Sequence, residues 1–163
     1  MPLDFDLVAE ARRNWEAVDW SRPDAMVAAI SIVRAQQIVL ARADAALAPF
    51  GLTFSRFEAL ALLSFSRRGA LPMGKIGARL QVHPTSVTNT VNRLERDGLA
   101  RRASSDGDRR TVLAEITPEG RRVVVVAARA LAGVDFGLAG LATEELHRIH
   151  DAIVPLRRGA GDF

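Results

Sequence analysis

The chain has 163 residues and a mass of 17.7 kDa, with 48% of residues apolar and 25% charged; that is enough for one ordinary domain with a real core, and too apolar for intrinsic disorder. It contains no cysteine, which excludes disulfides, thiolate catalysis, thiol redox sensing and cysteine-held metals. The formal net charge of +3 is unevenly spread: residues 67–102 carry eight Lys and Arg against two acids, between near-neutral flanks, and such a block suits a surface that faces phosphate.

At the N-terminus, Asp4, Asp6, Glu10, Glu16 and Asp19 argue against a secretory signal. No uncharged apolar run approaches the roughly 20 residues of a membrane span. A cytoplasmic location and no membrane partner are the expectation. The stretch Leu7–Val18 predicts a short helix. Pro23 and Asp24 stand at the start of a second, and 25–48 is rich in Ala, Ile, Val and Leu without Gly or Pro until Pro49. This helix is apolar around much of its circumference and needs cover on more than one side. A partner subunit is the simplest cover in so small a chain.

Pro49-Phe50-Gly51 breaks that helix, and Thr53 or Ser55 can cap the next. It carries Phe57, Leu60, Ala61 and Phe65 at helical spacing and ends near Gly69. Pro72 opens a short helix with Met73, Ile76 and Leu80 on one stripe, followed by the turn Gln81-Val82-His83. Pro84 sits at the first position of the next helix, with His83 placed as its cap or as a phosphate contact.

The segment from Pro84 to about Asp97 is the most informative. At 100° per residue, Val87, Val91 and Leu94 share one face, and Thr85, Thr88, Asn89 and Asn92 share the opposite one. Thr and Asn are mediocre helix formers, so helix propensity does not explain the stripe. Asn offers the paired donor and acceptor that match the adenine edge, and Thr offers a hydroxyl and a methyl. Ser86 and Arg93 flank the stripe, placed for backbone or neighbouring bases. Gly98 supplies the stop.

Leu99–Ala103 and Thr111–Ile116 read as two strands joined by Ser104-Ser105-Asp106-Gly107-Asp108-Arg109-Arg110. A β-hairpin directly after a recognition-type helix is a wing, whose arginines can enter a narrow minor groove. Thr117-Pro118-Glu119 starts a buried helix running to Leu131. A last helix begins at Thr143 with Leu146, Ile149 and Ile153 as its apolar stripe, and ends near Pro155.

This order resembles the MarR family of bacterial winged helix-turn-helix regulators. The residues that carry the resemblance are Val91-Asn92-Arg93-Leu94-Glu95-Arg96-Asp97-Gly98-Leu99-Ala100-Arg101-Arg102, then Asp108-Arg109-Arg110, then Ala114-Glu115-Ile116-Thr117-Pro118-Glu119-Gly120. It implies a mainly α fold with a small two-stranded β wing. The whole of 1–163 would be one such domain, with dimerisation helices in 1–48 and 120–163 and a winged helix-turn-helix DNA-binding lobe in 52–118. It further implies an interlocked homodimer whose Pro84–Asp97 helix enters the major groove. Arg110 would reach the minor groove, held by Asp108, and Arg109 would contact phosphate. Such proteins usually repress transcription, and often leave DNA when a small aromatic or anionic ligand binds.

The N-terminal stretch is similar to the urate-responsive branch of that family, which uses a tryptophan in an extra leading helix, here matched by Trp15. The branch also uses an aspartate in its second helix, where this chain has Glu58. The cysteine-oxidation branch is excluded by composition. No cofactor and no enzymatic activity are expected.

Two other classes fit the pattern less well. A winged helix can serve as a protein-interaction module without sequence-specific DNA binding, but that use calls for exposed Leu, Phe or Trp where this helix has Thr and Asn. A metalloenzyme built on His147 and His150, near Glu144 and Asp151, lacks a third strong ligand in register.

Overall fold

The computed structural model describes residues 4–105 and 108–163, and of residues 105 and 108–110 it describes the backbone alone. The chain runs α1 (Leu7–Ala17), α2 (Pro23–Leu47), a 3-10 turn at Ala48–Phe50, α3 (Phe54–Phe65), β1 (Ala70–Pro72), α4 (Met73–Leu80), α5 (Pro84–Arg96), β2 (Ala100–Ser105), β3 (Asp108–Ile116), α6 (Pro118–Ala132), a 3-10 turn at Asp135–Gly137 and α7 (Thr143–Gly159). Strands β2 and β3 form the antiparallel hairpin expected from the sequence.

A third strand, β1, joins the hairpin, giving the sheet order β1-β3-β2. Leu71 of β1 lies opposite Ala114, and the carbonyl of Gly69 accepts from the Ile116 backbone N–H at 2.8 Å. The expected two-stranded wing is therefore one edge of a three-stranded sheet. Three residues, only one of them buried, are too few to display the alternation by which a strand is read.

The helix starts are fixed by local chemistry. Asp6 accepts from the N–H groups of Val8 and Ala9, and Thr117 accepts from Gly120, each satisfying donors that a first helical turn leaves open. At α3, Thr53 occupies the cap position but its hydroxyl is turned to Ser55 Oγ at 3.1 Å. Asp44, near the end of α2, accepts from the Phe54 N–H at 2.6 Å in its place. The final helix also differs from expectation: α7 continues through Pro155 to Gly159. Proline removes one helical hydrogen bond, and on this exposed helix water can take up the freed carbonyl.

The core sits in the central lobe, around Leu47, Leu60, Leu63, Ile76, Val91, Leu94 and Leu131, all fully buried. The flanking helices contribute little to it: α1 and α7 bury no residue, and α2 buries only Ala43 and Leu47. Ile32, Val33 and Ile38 of α2 and Ile149 and Leu156 of α7 are exposed. By length and composition, 23–50 is apolar enough to cross a membrane, with a mean hydropathy of 1.4 over its most apolar stretch. Arg34, Gln36 and Gln37 interrupt that stretch, so a search for uncharged runs passes over it.

Candidate nucleic-acid interface

Helix α5 packs against the core through Val87, Val91 and Leu94, all buried. That leaves Thr85, Ser86, Thr88, Asn89, Asn92 and Arg93 exposed on one continuous face. The turn before α5 is tight. Gln81 ends α4 in the left-handed region, and a Cβ at Gly77 would meet both the Val82 carbonyl and a Val87 methyl at 3.2 Å. A small residue at 77 thus lets α4 and α5 approach closely. His83 is the cap expected from the sequence: its Nδ1 accepts from the Thr85 N–H at 3.2 Å.

The exposed polar residues are not equally free. Thr88 donates its hydroxyl to the Pro84 carbonyl at 3.1 Å, leaving its methyl and oxygen lone pairs outward. Thr85 Oγ1 lies 3.1 Å from His83 Nδ1. The Asn92 carboxamide accepts from Arg102 on β2. Ser86, Asn89 and Arg93 have no side-chain partner among the described residues.

Three side-chain anchors at the far end of α5 join it to other elements. Arg56 of α3 pairs with Asp97 at 3.2 Å, in a site where the arginine side chain is only 14% exposed. Glu95 holds Arg102 twice, by its guanidinium at 2.5 Å and by its backbone N–H at 3.1 Å. The third is the Thr117 hydroxyl, placed against the Gly98 and Leu99 carbonyls. Recognition helix, hairpin and α6 entry are therefore a single fastened unit. Between α4, α5 and the hairpin lies a cleft of about 650 Å³ walled by Lys75, Thr88, Arg102 and Thr111 among others.

The basic residues sort into two groups. Arg101 pairs with Glu115 across the hairpin at 2.9 Å, and Arg102 with Glu95. Arg67, Arg68, Lys75, Arg79 and Arg93 are exposed and have no ionic partner among the described residues. Among the described residues of this lobe, the charge available to an outside polyanion thus lies in α4, the α3–β1 turn and α5 rather than in β2. The expected wing contacts of Asp108, Arg109 and Arg110 are side chains outside the described residues.

The expected ligand residues are separated. Glu58 on α3 lines a cavity of about 270 Å³ with Phe54, Phe57, Phe65 and Phe136, and burial raises its carboxyl above the ordinary glutamate range. Trp15 is not part of that wall. Its indole N–H donates to the Ser21 carbonyl at 3.0 Å and its ring meets Trp20 edge-on at 4.8 Å, fastening α1 to the start of α2. His147 and His150 are both exposed, and no group of three His, Asp or Glu among the described residues is placed to hold a metal ion.

A family model described as MarR family matches residues 50–111, from the end of the 3-10 turn after α2 to the hairpin. The chain is 54% identical to Sco5413, a MarR family transcriptional regulator from Streptomyces coelicolor, covering 86% of this chain and 97% of that one with a TM-score of 0.81. The chain belongs to the MarR family. A second MarR fold, Sco3205 from Streptomyces coelicolor, solved in complex with DNA, is 22% identical over 86% of this chain and 89% of its own, with a TM-score of 0.75. Among curated relatives, the uncharacterized HTH-type transcriptional regulator YhbI from Bacillus subtilis (strain 168) is 32% identical over 92 residues. That match takes in 56% of this MarR chain and 58% of YhbI, so the chain spans under two thirds of that relative.

Proposed function

We propose that this MarR family member is a cytoplasmic regulator of transcription that binds a pseudo-palindromic operator as a homodimer and represses from it. The observation that carries the reading is the exposed face of α5. Its Thr, Ser and Asn side chains are backed by three buried apolar residues and bordered by Arg and Lys that have no ionic partner among the described residues. Short hydrogen-bonding groups on a rigid helix can read base edges, and unpaired cations supply attraction to phosphate. The same face lacks the exposed Leu, Phe or Trp that would favour a protein-interaction module.

The bare apolar faces of α2 and α7 support a dimer, because Ile32, Val33, Ile38, Ile149 and Leu156 stay about half in water and covering them would contribute about 1 kcal/mol for each side chain. In such a dimer the two copies of α5 would enter successive major grooves about one helical turn apart, with Arg109 and Arg110 of each wing on the flanking backbone and minor groove and Asp108 holding Arg110. Repression then follows from occupying promoter DNA. The aromatic cavity beside Glu58 supports an aromatic effector. It contains no basic residue, so an anionic one has no counter-charge there.

The deciding experiment is selection from a randomised duplex pool followed by fluorescence anisotropy on the enriched site, with sedimentation to fix the stoichiometry. A palindrome bound by two chains, with affinity falling steeply with salt, supports the reading. Binding that is equal on all sequences sinks it. A thermal-shift screen of aromatic compounds against wild type and Glu58→Gln tests the effector.

A further inference from the structure

Asn92 and Glu95 stand one helical turn apart on α5, and both face Arg102 on β2. Arginine has only donors, so the group of Asn92 turned toward it must be the carbonyl oxygen and its NH2 must point away. Glu95 Oε2 takes the other guanidinium nitrogen at 2.5 Å, and Glu95 Oε1 takes the Arg102 backbone N–H at 3.1 Å. The arginine is thus fixed at both ends. Asn92 cannot rotate its amide without losing a charge-assisted bond.

We infer that Arg102 is a positioning residue that sets base preference through Asn92, presenting it to the major groove as a hydrogen-bond donor. This inference rests on the DNA-binding reading above. An unrestrained asparagine matches adenine, accepting from N6 and donating to N7. Arg102 turns the Asn92 oxygen toward β2 and its N–H groups away from it, so Asn92 offers donors to a base edge that presents acceptors. Guanine, with O6 and N7 side by side, fits best. The adenine match suggested by residue type alone is replaced by a guanine match once the neighbour on β2 is in place.

The test is duplex selection and competition binding with full-length wild type, Asn92→Ala, Arg102→Ala and Arg102→Lys. The position read by Asn92 is the one whose preference disappears in Asn92→Ala. Wild type should favour guanine over adenine there. Arg102→Ala should move that ratio toward adenine by about tenfold, in line with the discrimination of one paired contact. Arg102→Lys, which still donates to Asn92, should restore guanine. Circular dichroism and thermal melts check that the variants fold; Glu95 can still hold the backbone N–H of residue 102 in each.

Adenine preferred by wild type at that position overturns the inference. So does an Arg102→Ala protein that loses affinity equally on every sequence with its preference unchanged, the behaviour of a plain phosphate contact. If wild type selects no sequence at all, the functional reading falls first and this one with it.

Discussion

The hydroxyl of Thr117 donates to the carbonyl of Gly98 at 2.8 Å, with the Leu99 carbonyl at 3.2 Å, while its oxygen accepts from the Gly120 N–H at 3.0 Å. One side chain therefore joins the turn that ends α5 to the first turn of α6. Thr117→Val keeps the shape and removes these bonds. It should cost about 1–2 kcal/mol, and thermal unfolding should report it as a drop of roughly 2–4 °C per kcal/mol for a chain of this size.

Gly120 lies in the same joint. A Cβ there would sit 2.1 Å from the Leu99 carbonyl oxygen, a backbone atom that accepts from the Thr117 N–H. Alanine is the better helix former by about 1 kcal/mol, but the overlap outweighs that gain. Gly120→Ala should lower stability by about 3 kcal/mol, measured by urea denaturation. An unchanged midpoint would mean that the α5–α6 joint is looser than its contacts indicate.

Glu58 gives a pH signature. Burial raises its carboxyl in the folded chain, so the folded state favours the protonated form. The stabilising contribution is full below the unfolded value of about 4.3 and is lost as pH rises through the raised folded value. At pH 7 the ionised carboxylate is a burden on the fold. Glu58→Gln should therefore melt higher than wild type at pH 7, with the gap closing toward pH 4. Melting curves across that range check it, and a gap that widens on acidification would contradict the assignment.

Asn89 and Lys75 should separate reading from attraction. Asn89 has no side-chain partner among the described residues and faces outward. Asn89→Ala should cost about 1–3 kcal/mol of binding and relax preference at one base pair per half-site. Lys75→Ala should weaken binding to all sequences alike and reduce the salt slope by about one. Anisotropy titrations at several salt concentrations distinguish the two patterns.

Much of this interface was legible before any coordinates, because its signals are local. The cap and proline at His83-Pro84, the stop at Gly98 and the start at Thr117-Pro118 each act within a few residues of themselves, and the three-dimensional structure places them accordingly. What could not be read depends on contacts between distant residues. Strand β1 exists because β3, some 40 residues later, offers it an edge. The cap of α3 comes from Asp44, ten residues back, although Thr53 and Ser55 stand in the obvious places. The setting of Arg102 comes from Glu95 and Asn92 on the preceding helix, which fold back onto it. Spacing alone also says nothing about Trp15, whose indole closes its own turn to Ser21.

The end of α2 is held at two residues standing two apart. Arg42 donates to the Gly137 carbonyl at 3.1 Å, and Asp44 accepts from the first N–H of α3 at 2.6 Å. Both bonds come from side chains on the helix that would span the proposed dimer, and one of them seizes the helix that carries the reading lobe. The joint works like the pivot of a pair of callipers with the screw tightened. Adding or removing one base pair between half-sites shifts the second site by about 3.4 Å along the duplex, and the proposed dimer could follow only by breaking or stretching such bonds. The distance between half-sites, as much as their letters, would then be written into Arg42 and Asp44.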